Sequence, residues 1–106
     1  MSSEQKIQEM QMLEQNLQNL LLQKQAFQME LSETKVAIKE ISSSGDEVFK
    51  IVGQLMIKSD KKKVSEELSN KEKLLDIRLK SLERQEETLS NQLEKLREEF
   101  LKSQKK

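Results

Sequence analysis

Glu86-Glu87 and Glu98-Glu99 are the nearest this sequence comes to a catalytic pair. Two carboxylates can share general acid and base work when a shielded site pushes their pKa values apart. On a helix, however, adjacent residues point roughly 100° apart, and no pocket-forming segment surrounds either pair. The chain holds no His and no Cys, so the usual bases, thiolate nucleophiles and metal ligands are missing. These residues lead to no enzyme, no catalytic or metal-binding residue and no cofactor. Lys61-Lys62-Lys63, followed by a leucine zipper, invites comparison with basic-zipper DNA binders. Those need a continuous basic helix to fork across the major groove, and three lysines are read more simply as a solvated face.

What remains is the chemistry of burial, and one stretch concentrates it. Asp46-Glu47-Val48-Phe49-Lys50-Ile51-Val52-Gly53-Gln54-Leu55-Met56-Ile57-Lys58 is the only β-like segment, rich in Val, Ile and Phe with Gly at its middle. Gly53-Gln54 fits a type II′ hairpin turn, whose first central residue needs positive φ. That turn pairs Val52 with Leu55, Ile51 with Met56, Lys50 with Ile57 and Phe49 with Lys58. One face then carries Val48, Val52, Leu55 and Ile57, and the other Phe49, Ile51 and Met56. Two apolar faces cannot both be buried by a lone hairpin, which is marginal in water by itself. The segment is expected to be an assembly element.

The rest of the chain positions that hairpin. Glu, Lys, Leu and Gln abound, and the 106 residues contain two Gly and no Pro, a composition of long helices rather than a globule. Met10, Leu13, Leu17, Leu20, Lys24, Phe27, Leu31, Thr34, Ile38 and Ile41 follow steps of three and four, the period of a coiled-coil seam. Ser2 and Gln5 have capping-box spacing, and Ser42-Ser43-Ser44-Gly45 ends this helix, with Gly45 able to take a left-handed position. Ser59 or Asp60 can cap a second helix. In it Leu68, Leu75, Leu82, Leu89 and Leu96 recur every seven residues, with Ser65, Glu72, Leu79, Glu86, Leu93 and Phe100 between them.

The reading is therefore mainly α: one domain over residues 1–106, with helices at 2–43 and 60–103 in an antiparallel coiled coil joined by a β-hairpin at 46–58. About forty residues per helix would make arms on the order of 60 Å long. The preferred register sets Met10 against Leu96, Leu17 against Leu89, Lys24 against Leu82, Leu31 against Leu75 and Ile38 against Leu68. Intervening layers join Leu13 with Leu93, Leu20 with Glu86, Phe27 with Leu79, Thr34 with Glu72 and Ile41 with Ser65. Thr34 and Glu72 then share a polar layer, and Lys24 lies one layer from Glu86.

Met12, Leu21, Leu22, Met29, Val36, Leu74, Ile77 and Leu101 fall off both seams. Towards the free end of the coil, Ile7, Met10, Leu13 and Leu17 meet Leu93, Leu96, Phe100 and Leu101. These are either terminal layers of the seam or a weak, Met-containing grip for apolar segments of other proteins. Charges balance at 19 basic and 19 acidic residues, against a nucleic-acid partner. No apolar run approaches a membrane span, residues 1–5 lack the features of a signal peptide, and the absence of Cys suits a reducing cytoplasm.

Glu47-Val48-Phe49-Lys50-Ile51-Val52-Gly53, Leu55-Met56-Ile57-Lys58 and Leu82-Glu83-Arg84-Gln85-Glu86-Glu87 resemble the prefoldin beta-subunit family, the archaeal type most closely. The resemblance implies a cytoplasmic hexamer of two alpha-class and four beta subunits. Hairpins would join in an intersubunit β-barrel through Val48, Phe49, Ile51, Val52, Gly53, Leu55, Met56 and Ile57. It also implies an ATP-independent holdase that captures unfolded clients at the coiled-coil tips and passes them to a group II chaperonin. Chaperonin contact would map onto Arg97, Glu98 and Glu99. The alternative is a structural adaptor whose coiled coil recruits one defined partner helix.

Overall fold

Ser2 starts the first helix in the manner its spacing predicts. Its amide donates to Gln5 Oε1 at 2.9 Å, and the Gln5 amide donates to Ser2 Oγ at 3.1 Å, a reciprocal capping box. In this computed structural model, which describes residues 2–104, the order is α1 (Ser3–Ser43), β1 (Glu47–Val52), β2 (Leu55–Asp60) and α2 (Lys61–Gln104). Met1 and the last two lysines of the 1–106 span lie outside the described residues.

The end of α1 differs from expectation. Gly45 does not adopt positive φ; Gly53 alone does among the described residues. Serine hydroxyls meet the terminal carbonyls instead. Ser42 Oγ donates to the Lys39 carbonyl at 2.7 Å, and Ser44 Oγ donates to that of Ile41 at 2.8 Å. Lys61 Nζ donates to the Ser44 carbonyl at 2.7 Å. One member of the lysine triplet thus serves the negative end of α1 rather than solvent. With these donors in place, no left-handed glycine is needed to satisfy the helix end.

The hairpin has the expected register, from Val52↔Leu55 outward, and pairing continues through Val48↔Ser59 to Glu47↔Asp60. Gly53 has φ +61°, while Gln54 stays at negative φ. A type I′ turn requires both to be positive, so the turn is II′. β2 runs straight into α2, where the Lys62 amide donates to Asp60 Oδ1 at 3.3 Å, making Asp60 the cap.

The chain divides into two compact units, Met1–Ala26 with Leu79–Lys106, and Phe27–Arg78. In the first, Leu20, Leu79, Leu82, Leu93 and Leu96 are buried, Leu82 most completely. Lys24 Nζ lies 3.1 Å from Glu86 Oε2, and Arg97 Nη2 lies 2.8 Å from Glu14 Oε1. In the second, Thr34, Ile41 and Leu75 are buried, and Lys71 Nζ lies 3.2 Å from Glu30 Oε1. A seven-residue slip that set Thr34 against Leu79 would part Lys71 from Glu30 by about 18 Å along the helices, so that pair fits the preferred register and not the slipped one. All the residues assigned to the two seams are buried or half-buried, while Met12, Leu22, Met29, Val36, Leu74 and Ile77 face water.

Thr34 is buried and Glu72 half-buried, and the Thr34 hydroxyl donates to the Glu30 carbonyl of its own helix at 2.8 Å. A mid-helix threonine bonding back four residues satisfies itself. Among the described residues no buried side-chain polar atom lacks a partner.

Candidate functional site

Two surfaces each group several apolar residues that the fold leaves wet. The first is the hairpin, whose ladder projects alternate residues to opposite faces. Ile51 is 71% exposed, Met56 68% and Leu55 66%; Phe49, Val52 and Ile57 are about half exposed. Val48 is the exception. It is half-buried and, with half-exposed Phe49, lines a hollow of about 410 Å³ whose walls include Ala37, Ile41, Val64 and Leu68, so this part of the hairpin faces its own helices. Lys50 Nζ adds an ion pair to Glu67 of α2 at 3.0 Å. The hairpin thus stands on a fixed base and presents Phe49, Ile51, Val52, Leu55, Met56 and Ile57 outward.

The second surface lies where α1 starts and α2 finishes. Ile7, Met10, Phe100 and Leu101 line a hollow of about 350 Å³ together with Gln11, Glu14 and Arg97. Met10 and Phe100 are half-buried, whereas Ile7 and Leu101 are exposed. The Glu14–Arg97 pair sits in the wall of this hollow. Leu13 and Leu96 line a separate shallow hollow with Glu9, Gln92, Lys95 and Glu99.

The eight residues expected at the tip therefore do not act alike. Ile7, Met10, Phe100 and Leu101 converge on one concavity. Leu13 and Leu17 are half-buried, and Leu93 and Leu96 are core residues only 6% exposed. Of the trio assigned to chaperonin contact, Arg97 is engaged with Glu14, and Glu98 and Glu99 are exposed. Seam spacing alone does not single out Glu14. The register extended to flanking positions places it near Arg97, and that is the signal that finds it. No cluster of potential metal ligands occurs among the described residues, and no helix there is long and apolar enough to cross a membrane.

Shape and sequence both point to one family. The prefoldin subunit family model matches residues 4–106. The chain belongs to the prefoldin family. It is similar to the prefoldin subunit beta of Thermococcus onnurineus, 45% identical over 85 residues that cover 78% of this chain and 73% of that protein. To the prefoldin subunit beta of Methanothrix thermoacetophila it is 37% identical over 97 residues, covering 90% and 81%. The crystal structure of the prefoldin beta subunit from Thermococcus strain KS-1 superposes with a TM-score of 0.90 at 36% identity, covering 98% of this chain and 93% of that one. These likenesses assign the chain to the archaeal-type beta class, with a chaperone role and assembly with other prefoldin subunits.

Proposed function

We propose that the chain is the beta subunit of an ATP-independent holdase. In this reading its hairpin enters an intersubunit β-barrel with alpha-class and other beta subunits, two alpha and four beta in all. The apolar hollow at the helix ends takes hold of non-native polypeptide in the cytoplasm, for delivery to a group II chaperonin through the neighbourhood of Arg97, Glu98 and Glu99. The observation that carries it is the hairpin, whose Ile51, Met56 and Leu55 are each about two-thirds exposed while its register is fully specified. A rigid ribbon wet on both faces is stabilised by closure, which removes its edges and buries both surfaces. Gathering several arms on one barrel lets weak contacts add by multivalency.

The experiment is to assemble the chain with an alpha-class subunit and ask whether the complex suppresses aggregation of several unrelated denatured proteins without ATP. Deleting the residues after Leu93 removes Phe100 and Leu101 and leaves the hairpin untouched. The truncated complex should keep its subunit count and lose protection. Equal protection after truncation defeats capture at the helix ends. A single saturable folded partner, with no general protection, is the outcome expected of an adaptor.

A further inference from the structure

The two helices of the first unit present unlike faces to water. Between Gln8 and Ala26, the positions of α1 pointing away from its seam are all exposed, and none carries a charge. Gln11, Gln18 and Gln25 recur every seven residues, flanked by Met12 and Asn19 on one side and Gln15 and Leu22 on the other. The corresponding positions of α2 include Lys80, Arg84, Glu87, Glu94, Lys95 and Glu98, as a solvated helix in a chain 36% charged is expected to show. Three charges lie in that stretch of α1. Glu14 and Lys24 turn towards α2 and are paired with Arg97 and Glu86, and Glu9 lines the shallow hollow with Leu13. Glutamine is a good helix former and explains the helix, but not the missing lysine and glutamate. Nor does it explain Met12 at 62% and Leu22 at 66% exposure on the same face.

We propose that this uncharged outer face of α1, from Gln8 to Ala26, is a second contact surface for extended non-native polypeptide of either net charge. The proposal rests on the holdase reading. It commits to that occupant for two reasons. The face is continuous with the apolar hollow, because Gln11 belongs to both. Its chemistry also suits a ligand without fixed sequence. Amide side chains donate and accept, so they can bond the backbone of any client, and exposed methionine adapts to irregular apolar groups. With no charge to desolvate, contact carries no large penalty and no selection by sign.

The test uses the assembled complex and two denatured clients, one of net positive and one of net negative charge. Gln15→Lys with Asn19→Lys, and Gln15→Glu with Asn19→Glu, place charge on the face with little cost to the helix. Thr88→Lys with Asn91→Lys places the same charge on the outer face of α2. The parent complex should protect both clients. The α1 lysine pair should lose several-fold in protection of the basic client and keep the acidic one. The α1 glutamate pair should do the reverse, and the α2 pair should sort neither. Equal sorting by the α2 pair means a long-range field rather than contact, and overturns the proposal. So does an absence of sorting, or a changed mass of the complex, which would make the face an interface between subunits. A parent complex that protects neither client instead overturns the holdase reading beneath it.

Discussion

The hairpin and the helix-end hollow are both apolar, yet they hold their apolar residues in different ways. The hairpin fixes Ile51, Met56 and Leu55 on a hydrogen-bonded ladder and leaves each about two-thirds exposed. At the hollow, Met10 and Phe100 are half-buried against neighbouring side chains, with only Ile7 and Leu101 at the rim. A ladder fixes which residues share a face, which suits permanent burial against a matching strand. Packed methionine and phenylalanine at a helix end can rearrange at small cost, which suits ligands of no fixed shape. Ladder-held exposure and adaptable half-burial are the physical marks that fit the two proposed roles, an obligate interface and a transient one.

The largest effect should come from spoiling the rigid surface. Ile51→Asp places a carboxylate where the ribbon must lose water, at a cost of several kcal/mol per copy. The expected product is a strongly helical chain that no longer assembles, read by sedimentation beside circular dichroism. A complex of unchanged mass would mean that the hairpin is not the joint. Next in size is the adaptable surface. Ile7→Ser with Leu101→Ser alters exposed residues only, so helicity and assembly mass should hold. The concentration needed to protect a denatured client should rise by about tenfold, as weak contacts are lost on every beta arm at once. Loss of assembly in this variant would erase the distinction between the two surfaces.

How much of this was legible beforehand follows from which forces are periodic. The two seams and the hairpin register repeat with the period of their backbone, and residue spacing alone displayed them. Chain ends and junctions do not repeat. Gly45 looked like a left-handed terminator, but whether a helix ends on glycine depends on which donors reach its carbonyls, and Ser42, Ser44 and Lys61 do so. Val48 read as one more outward hairpin residue, because alternation gives its face and not what that face meets. Leu93 and Leu96 fall within the apolar tip by spacing, and spacing cannot separate a last core layer from a surface; both are 6% exposed. Arg78, with its guanidinium 5.8 Å from the centroid of the Phe27 ring, is a contact between helices that no one-helix pattern contains.

A smaller effect tests the rigidity of the hairpin. Gly53 has open space around a would-be Cβ, so Gly53→Ala meets no clash and pays only for its left-handed backbone. A positive φ at the first position of a II′ turn costs a residue with a Cβ about 1–3 kcal/mol, which should lower the denaturant midpoint of the complex without changing its stoichiometry. An unchanged midpoint would show that the turn relaxes freely and that the ribbon is less rigid than its ladder suggests.

The smallest effect concerns the ion pair in the first unit. Lys24 and Glu86 have side chains 23% and 32% exposed, and they join the helices through an otherwise leucine-rich stretch that includes Leu20 and Leu82. Such a pair gains Coulomb energy and loses hydration, and the two nearly cancel. Removing one partner forfeits the gain and leaves the other charge poorly solvated, so Lys24→Met or Glu86→Leu alone should destabilise by about 1 kcal/mol. Lys24→Met with Glu86→Leu removes both charges and completes an apolar seam, and should match or exceed the parent in thermal midpoint. Simple addition of the two single losses in the double variant would mean that the charges act independently. The pair would then add no coupling between the helices at that point of the seam.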